Sequence, residues 1–235
     1  MSPSRGELIG GNTDTTMLGR KLAAWATLVP DAADILAAMG VTGFVTAGGR
    51  SSRMGRDKAW LMLDGRAMIE HVVTALSPAT DAVAIIANDD EYKKLGLPVF
   101  ADSKAGIGPL EAIRTALANS QTERVLLVGC DMPFVTPDLF SSLLEIGEGH
   151  QAAAPIGPDG MLEPLCAVYS TGILGVAVRL IESGERKVSR LFESVETRLV
   201  AFDEIRHLAG SEAFFLNVNT PEDYDRAARL LKERC

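Results

Sequence analysis

Residues 41–58 read VTGFVTAGGRSSRMGRDK, and few architectures accept such a stretch. Its first six residues are apolar and β-rich, the pattern of a buried strand. The strand breaks at Ala47-Gly48-Gly49. Two glycines there permit backbone angles closed to other residues and let the main chain come close to a ligand. Arg50, Arg53, Arg56 and Lys58 come next. Bare backbone N–H groups beside arginine and lysine make a site for phosphate oxygens, and Thr46, Ala47, Gly48 and Gly49 are the candidate loop residues. Two known phosphate loops are excluded by spacing. A Walker A loop needs Gly-Lys-Ser/Thr at its end, whereas Gly55 precedes Arg56 and Lys58 precedes Ala59. A dinucleotide fingerprint needs G-x-G-x-x-G, which Gly48-Gly49 does not supply. The plain alternative is a basic surface loop.

The segment after the loop fixes the sheet. Met68, Ile69, Val72, Val73 and Leu76 mark one face of a helix, and Ala82 to Ala87 read as a buried strand. Strand, loop, helix, strand implies a right-handed crossover and a parallel sheet. Ligands of such sheets bind beyond the carboxyl ends of the strands. Asn88 lies at one such end, although its residue type also suits an ordinary turn. Val99 to Asp102 reads as a short strand ending in a carboxylate, and Gly108-Pro109 opens a helix whose N-terminus can receive an anion or a polar base edge. Arg124 to Gly129 is apolar on both faces, as a central parallel strand should be. Asp131, just past it, is the natural Mg²⁺ ligand, because Mg²⁺ takes few carboxylates together with water and phosphate oxygens.

Further along, Thr136-Pro137 opens a helix, and residues 151–156 and 161–169 form an antiparallel hairpin about Gly157–Gly160. Residues 171–181 are helical, residues 196–202 and 214–218 are strands, and Thr220-Pro221 caps the last helix. Asn217 and Asn219 fit turn chemistry at that point. The fold expected is α/β: a single doubly wound, Rossmann-like, mostly parallel sheet with a small antiparallel hairpin.

The remaining composition excludes other classes. A net charge of −8 argues against general nucleic-acid binding. Met17 to Leu28 is apolar and basic but too short and interrupted to span a membrane. Three widely spaced cysteines, Cys130, Cys166 and Cys235, point to a reduced, cytoplasmic compartment. Residues 1–40 read as an N-terminal extension, partly disordered or helical, ahead of a domain at 41–235. Met39 is a candidate start, and a genuine appended helical arm is the alternative.

The order Ala-Gly-Gly-x-Ser-x-Arg-Met-Gly-x-x-Lys at 47–58 is joined by three further motifs. These are Asp102 with Gly108-Pro109-Leu110, then Asp131-Met132-Pro133-Phe134, then Asn217-Val218-Asn219-Thr220-Pro221-Glu222-Asp223. Together they resemble the MobA-type nucleotidyltransferases, most closely the molybdenum cofactor guanylyltransferases, from about Thr42 to the C-terminus. The resemblance implies a fold of the nucleotide-diphospho-sugar transferase type. It implies transfer of GMP from GTP to the terminal phosphate of molybdopterin, with Mg²⁺ on Asp131. The loop would wrap the triphosphate, Arg53 and Lys58 would hold its β and γ phosphates, and Asn88, Gly108, Asn217 and Asn219 would line the nucleotide site. GTP and molybdopterin are the expected partners, with no nucleic acid or membrane, and the chain is expected as a monomer or weak homo-oligomer.

A phosphate nucleophile is already ionised near neutral pH, so no general base is required. That agrees with His71, His150 and His207, which read as structural residues. Guanine presents two adjacent donors that a carboxylate accepts in parallel, and Asp102 is the candidate, assisted by Asn88. Ala47-Gly48-Gly49 also resembles the guanylyl branch, since the cytidylyl branch tends to carry Ala-Ala-Gly there. Two departures from the resembled pattern stand out: Glu111-Ala112 where Ala-Gly is usual, and Glu163-Pro164-Leu165 where Gln-Pro-Leu is common. Residues 185–189 form a basic loop that suits either the acceptor side or plain solvent. Three alternatives stay open: a cytidylyltransferase, a nucleotide-sugar pyrophosphorylase and a non-catalytic GTP-binding protein.

Overall fold

The computed structural model describes residues 40–48, 57–102 and 108–233. The expected N-terminal extension up to residue 39, together with Gly49 and Arg53 of the glycine loop, lies outside the described residues.

The described chain begins with β1 (Val41–Thr46), whose interior residues are buried. β2 (Met62–Leu63) and β3 (Arg66–Ala67) form a separate antiparallel pair. The turn between them puts Asp64 at φ 46° and Gly65 at φ 74°, the positive angles that a two-residue hairpin loop needs. α1 (Met68–Leu76) begins directly, with the Glu70 carboxylate accepting the Ala67 N–H at 2.8 Å. β4 (Ala82–Ile86), β5 (Val99–Phe100), α2 (Pro109–Asn119) and β6 (Arg124–Gly129) complete the first half. α3 (Pro137–Ile146) is capped by Thr136, whose hydroxyl accepts the Leu139 N–H at 3.3 Å. β7 (Ala152–Pro155), β8 (Cys166–Ser170), α4 (Leu174–Glu182), α5 (Ser189–Glu193), β9 (Thr197–Val200) and α6 (Phe202–Ile205) come after it. α7 (Pro221–Glu233) ends the described chain. Its start is a reciprocal cap: Asp223 accepts the N–H groups of Asn219 (3.0 Å) and Thr220 (2.9 Å), and the Thr220 hydroxyl accepts the Asp223 N–H at 3.2 Å.

Seven strands make one sheet in the order β5-β4-β1-β6-β8-β7-β9. β1 pairs in parallel with both β4 and β6, β4 with β5, and β7 with β9. β8 is antiparallel to both its neighbours, so it alone runs against the rest. Alternate strand residues feed two cores. Val45, Leu126 and Val128 pack with Ile69, Val72 and Leu76 of α1 and with Leu139, Phe140 and Leu143 of α3. Phe44, Val125 and Leu127 pack with Leu110, Ile113 and Leu117 of α2 and with Ala177 and Ile181 of α4. The sheet is thus wound on both faces, as the sequence pattern predicts. Among the described residues no helix is long and apolar enough to cross a membrane.

Three expectations need adjustment. β6 is central but parallel only to β1, its other neighbour being β8. The hairpin at 151–169 forms, but its arms belong to the main sheet, and the small separate sheet is β2–β3. Phe214 to Val218 is not a strand. Phe214 and Val218 are fully buried, which gives the segment its strand-like apolar pattern. Both sides of β6 are already taken, so the segment passes the end of that strand and joins it through one hydrogen bond, Val218 N–H to Asp131 O at 2.8 Å.

Candidate nucleotide site at the carboxyl edge of the sheet

Register places the candidate residues on one level. Thr46 stands opposite Ile86 on one side and Gly129 on the other. Beyond the strands the ladder runs one step further. Ala47 N–H donates to Ile86 O, Cys130 N–H to Thr46 O, and Ala87 N–H to Phe100 O, each at 2.9 Å. Ala47, Asn88, Asp102 and Asp131 therefore leave the sheet together. β1 is also where the winding reverses, since the chain passes to β4 and β5 on one side and then crosses to β6 on the other. Sheets of this kind bind ligands at that crevice. A cleft of about 1000 Å³ opens there. Thr46, Ala47, Gly48, Asn88, Asp102 and Gly108 line it, together with Leu165 and Arg186. Gly48 (φ 86°) and Gly108 (φ 88°) both take the left-handed angles that favour glycine.

A charged centre stands at the end of β6. Lys58 Nζ donates to Asp131 Oδ2 at 2.6 Å and to Asn219 Oδ1 at 2.7 Å. The side chains of Lys58 and Asp131 are both about one-fifth exposed. Gly129 makes this possible, because a β-carbon there would collide with the Asp131 carboxylate. Lys58 is set from behind. Asp57 caps its helical turn by accepting the Ala59 N–H at 3.1 Å, and the buried Tyr92 hydroxyl donates to the same carboxylate. Trp60 stacks on Tyr92 with ring centroids 5.4 Å apart.

Two further carboxyls carry shifted acidities. Burial raises the Asp102 carboxyl above its ordinary range, a hydrogen bond from Thr115 opposes the rise, and Glu111 adds to it. Burial also pushes Glu163 up to about 7, helped by Asp159 and Asp131, while a side-chain hydrogen bond with Asn217 works the other way. Cys130 and Cys166 are buried free thiols pushed upward by burial, which fits packing and not nucleophilic chemistry. His71 Nε2 lies 2.8 Å from Leu63 O and His150 Nδ1 lies 3.1 Å from Glu148 O, both local structural bonds.

Lys58, Asp131 and Asn219 thus meet directly, and Asn88, Asp102 and Gly108 share the cleft beside them. Asn217 reaches the site through Glu163. Sequence reasoning missed Asp57, Tyr92 and Thr115. Asp57, two residues before Ala59, carries a cap signature, but Tyr92 and Thr115 offer no local signal because their partners are distant in the chain. Asp131 and Asn219 present hard oxygen atoms, and the Lys58 ammonium against both shows that they accept a cation. Among the described residues no three His, Cys, Asp or Glu side chains converge as a metal site. A carboxylate and an amide oxygen are donors that a hard divalent cation accepts, its shell being filled by water and phosphate oxygens.

The chain is similar to several known proteins. A Carboxydothermus hydrogenoformans protein named "Probable molybdenum cofactor guanylyltransferase" is 36% identical over 191 residues, spanning 80% of this chain and 96% of that protein. The solved structure of molybdopterin-guanine dinucleotide biosynthesis protein A from Archaeoglobus fulgidus superimposes with a TM-score of 0.71 at 28% identity, over 82% of this chain and 99% of that one. Rv0371C of Mycobacterium tuberculosis, solved in complex with manganese, shares the fold with a TM-score of 0.60 at 20% identity, over 82% of this chain and 99% of its own. Residues 43–199 match the MobA-like NTP transferase domain, and the chain belongs to that family.

Proposed function

We propose that the chain is a nucleotidyltransferase that moves GMP from GTP to the terminal phosphate of molybdopterin, releasing pyrophosphate. The convergence of Lys58, Asp131 and Asn219 beside a cleft lined by Asp102 carries this reading. An ammonium group has three donors, and Asp131 and Asn219 engage two of them. The third is left for a phosphate oxygen, with Arg53 of the glycine loop as a second cation. Asp131, assisted by Asn219, would hold Mg²⁺. When bound, the ion neutralises charge on the phosphates. Catalysis then rests on alignment and fixed charge, not on proton abstraction. Asp102 accepts the two adjacent donors of guanine, and Asn88 supports the base or ribose. Arg186 brings a guanidinium to the same cleft, suited to the acceptor's phosphate.

The test is pyrophosphate release from each of the four nucleoside triphosphates with purified molybdopterin and Mg²⁺. GTP should exceed CTP by at least about a hundredfold in kcat/KM, the scale on which a buried polar pair discriminates. In the same assay Asp131→Asn should lower turnover by roughly two orders of magnitude. Equal or better turnover with CTP would replace this reading with the cytidylyl one, and no turnover with any nucleotide would leave a GTP-binding protein.

A further inference from the structure

Asp102 does not stand alone. Thr115 Oγ1 donates to Asp102 Oδ1 at 2.8 Å. Arg114 Nη2 donates to the same hydroxyl at 3.1 Å. Arg114 is itself forked onto Glu111, through Nε to Oε2 at 3.1 Å and Nη2 to Oε1 at 2.9 Å. Glu111 is 1% exposed and Thr115 is fully buried. Helix geometry builds the chain of contacts, because positions 111, 114 and 115 of α2 fall on one face. The Glu111 charge lies in the first turn, where the helix favours an anion.

The direction of the central bond is forced. A guanidinium only donates and an ionised carboxylate only accepts. The Thr115 hydroxyl, receiving from Arg114, therefore turns its single proton to Asp102. That consumes one lone pair of Oδ1 and fixes the rotation of the carboxylate, leaving the rest of Oδ1 and all of Oδ2 for the ligand. Glu111 takes the place of the alanine usual in the resembled motif, and alanine cannot hold Arg114 in this way.

We propose that Thr115, held by the Arg114–Glu111 pair, is a positioning residue that sets the plane of Asp102 and so selects nucleotides bearing a 2-amino purine. The proposal rests on the reading of Asp102 as the acceptor of the base. Its test compares GTP with ITP, which differ only in the exocyclic amine, by titration calorimetry on the full chain with Mg²⁺. The parent should bind GTP at least about tenfold more tightly, as expected for a charge-assisted bond. Thr115→Val should bring the two within about twofold, and Thr115→Ser, which keeps the hydroxyl, should restore the parental ratio. Thr115→Ala reads the same loss should the valine variant not fold. A purely structural role would weaken both nucleotides equally. An unchanged ratio in Thr115→Val or Thr115→Ala, with the ratio lost in Asp102→Asn, overturns the relay and leaves Asp102 as the base acceptor. A parent that binds both alike, or an Asp102→Asn variant that keeps the preference, overturns the reading of Asp102 and the relay with it.

Discussion

Glu163 shows how one side chain couples the site to pH. Burial, with Asp159 and Asp131 nearby, lifts its carboxyl from the ordinary 4.5 to about 7, and Asn217 only partly offsets this. The folded state thus holds a proton that the unfolded state gives up earlier. The associated stability is complete below about 4.5 and is lost as pH rises through about 7. Glutamine copies the neutral form. Glu163→Gln should therefore match the parent's Tm in acid and exceed it at pH 8 by about 2–4 °C, the shift that ~1 kcal/mol gives in a domain of this size. A Tm difference that stays flat with pH would show that the carboxyl is not raised. At this scale the sequence revealed the groups that meet at the end of β6 but not those that hold them. Lys58, Asp131 and Asn219 are legible from motif order. Tyr92 is separated from Asp57 by 35 positions and Thr115 from Asp102 by 13, and no periodicity links residues so far apart.

Among the elements, β1 depends on a residue with no side chain. A β-carbon on Gly43 would stand 2.8 Å from both Cγ and Cδ2 of Leu76, the last residue of α1. The glycine is therefore a packing requirement, and it lets α1 lie close against the strand that leads to Ala47 and Gly48. Gly43→Ala should cost about 1–3 kcal/mol, the usual penalty for overpacking a tight core. Chemical denaturation should show a lower midpoint with an unchanged slope, while the rate per folded molecule persists. An unaltered midpoint would mean that Leu76 moves aside freely. Helices were legible from their apolar faces and caps, as in α1, α2 and α3. The error at Phe214–Val218 has the opposite cause: burial sets an apolar pattern, but only an available sheet edge makes a strand, and sequence does not display edges.

For the molecule as a whole, all described strands and helices come after Gly40, and the family match begins at residue 43. We propose that residues 1–38 are dispensable for both fold and chemistry. A chain starting at Met39 should keep its Tm and its pyrophosphate-release rate within about twofold, and a large loss of either would make that segment integral. The doubly wound plan was legible because a strand, a glycine break and a helix in that order leave one crossover hand. The reversal of β8 was legible only as a hairpin, since turn residues announce a return but not which strands will receive it.

That reversal has a consequence for how such a protein can change. β7 climbs to the ligand edge and β8 descends from it, so residues 156–165 leave and rejoin the sheet at the same rim, pinned by the Ile156–Leu162 bridge. No crossover helix depends on their length. Only the end of the segment is tied to the other half of the rim: Leu165 O accepts the Gly129 N–H at 2.8 Å and Leu165 lines the cleft, while Glu163 lies near Asp131. Residues 157–162 are the cassette, which can be lengthened, shortened or exchanged while the β6, β8 and β7 registers and the rim built by β1, β4, β5 and β6 stay as they are. Under the proposed reaction, a lineage can thus take on a new acceptor without disturbing the way it grips its nucleotide.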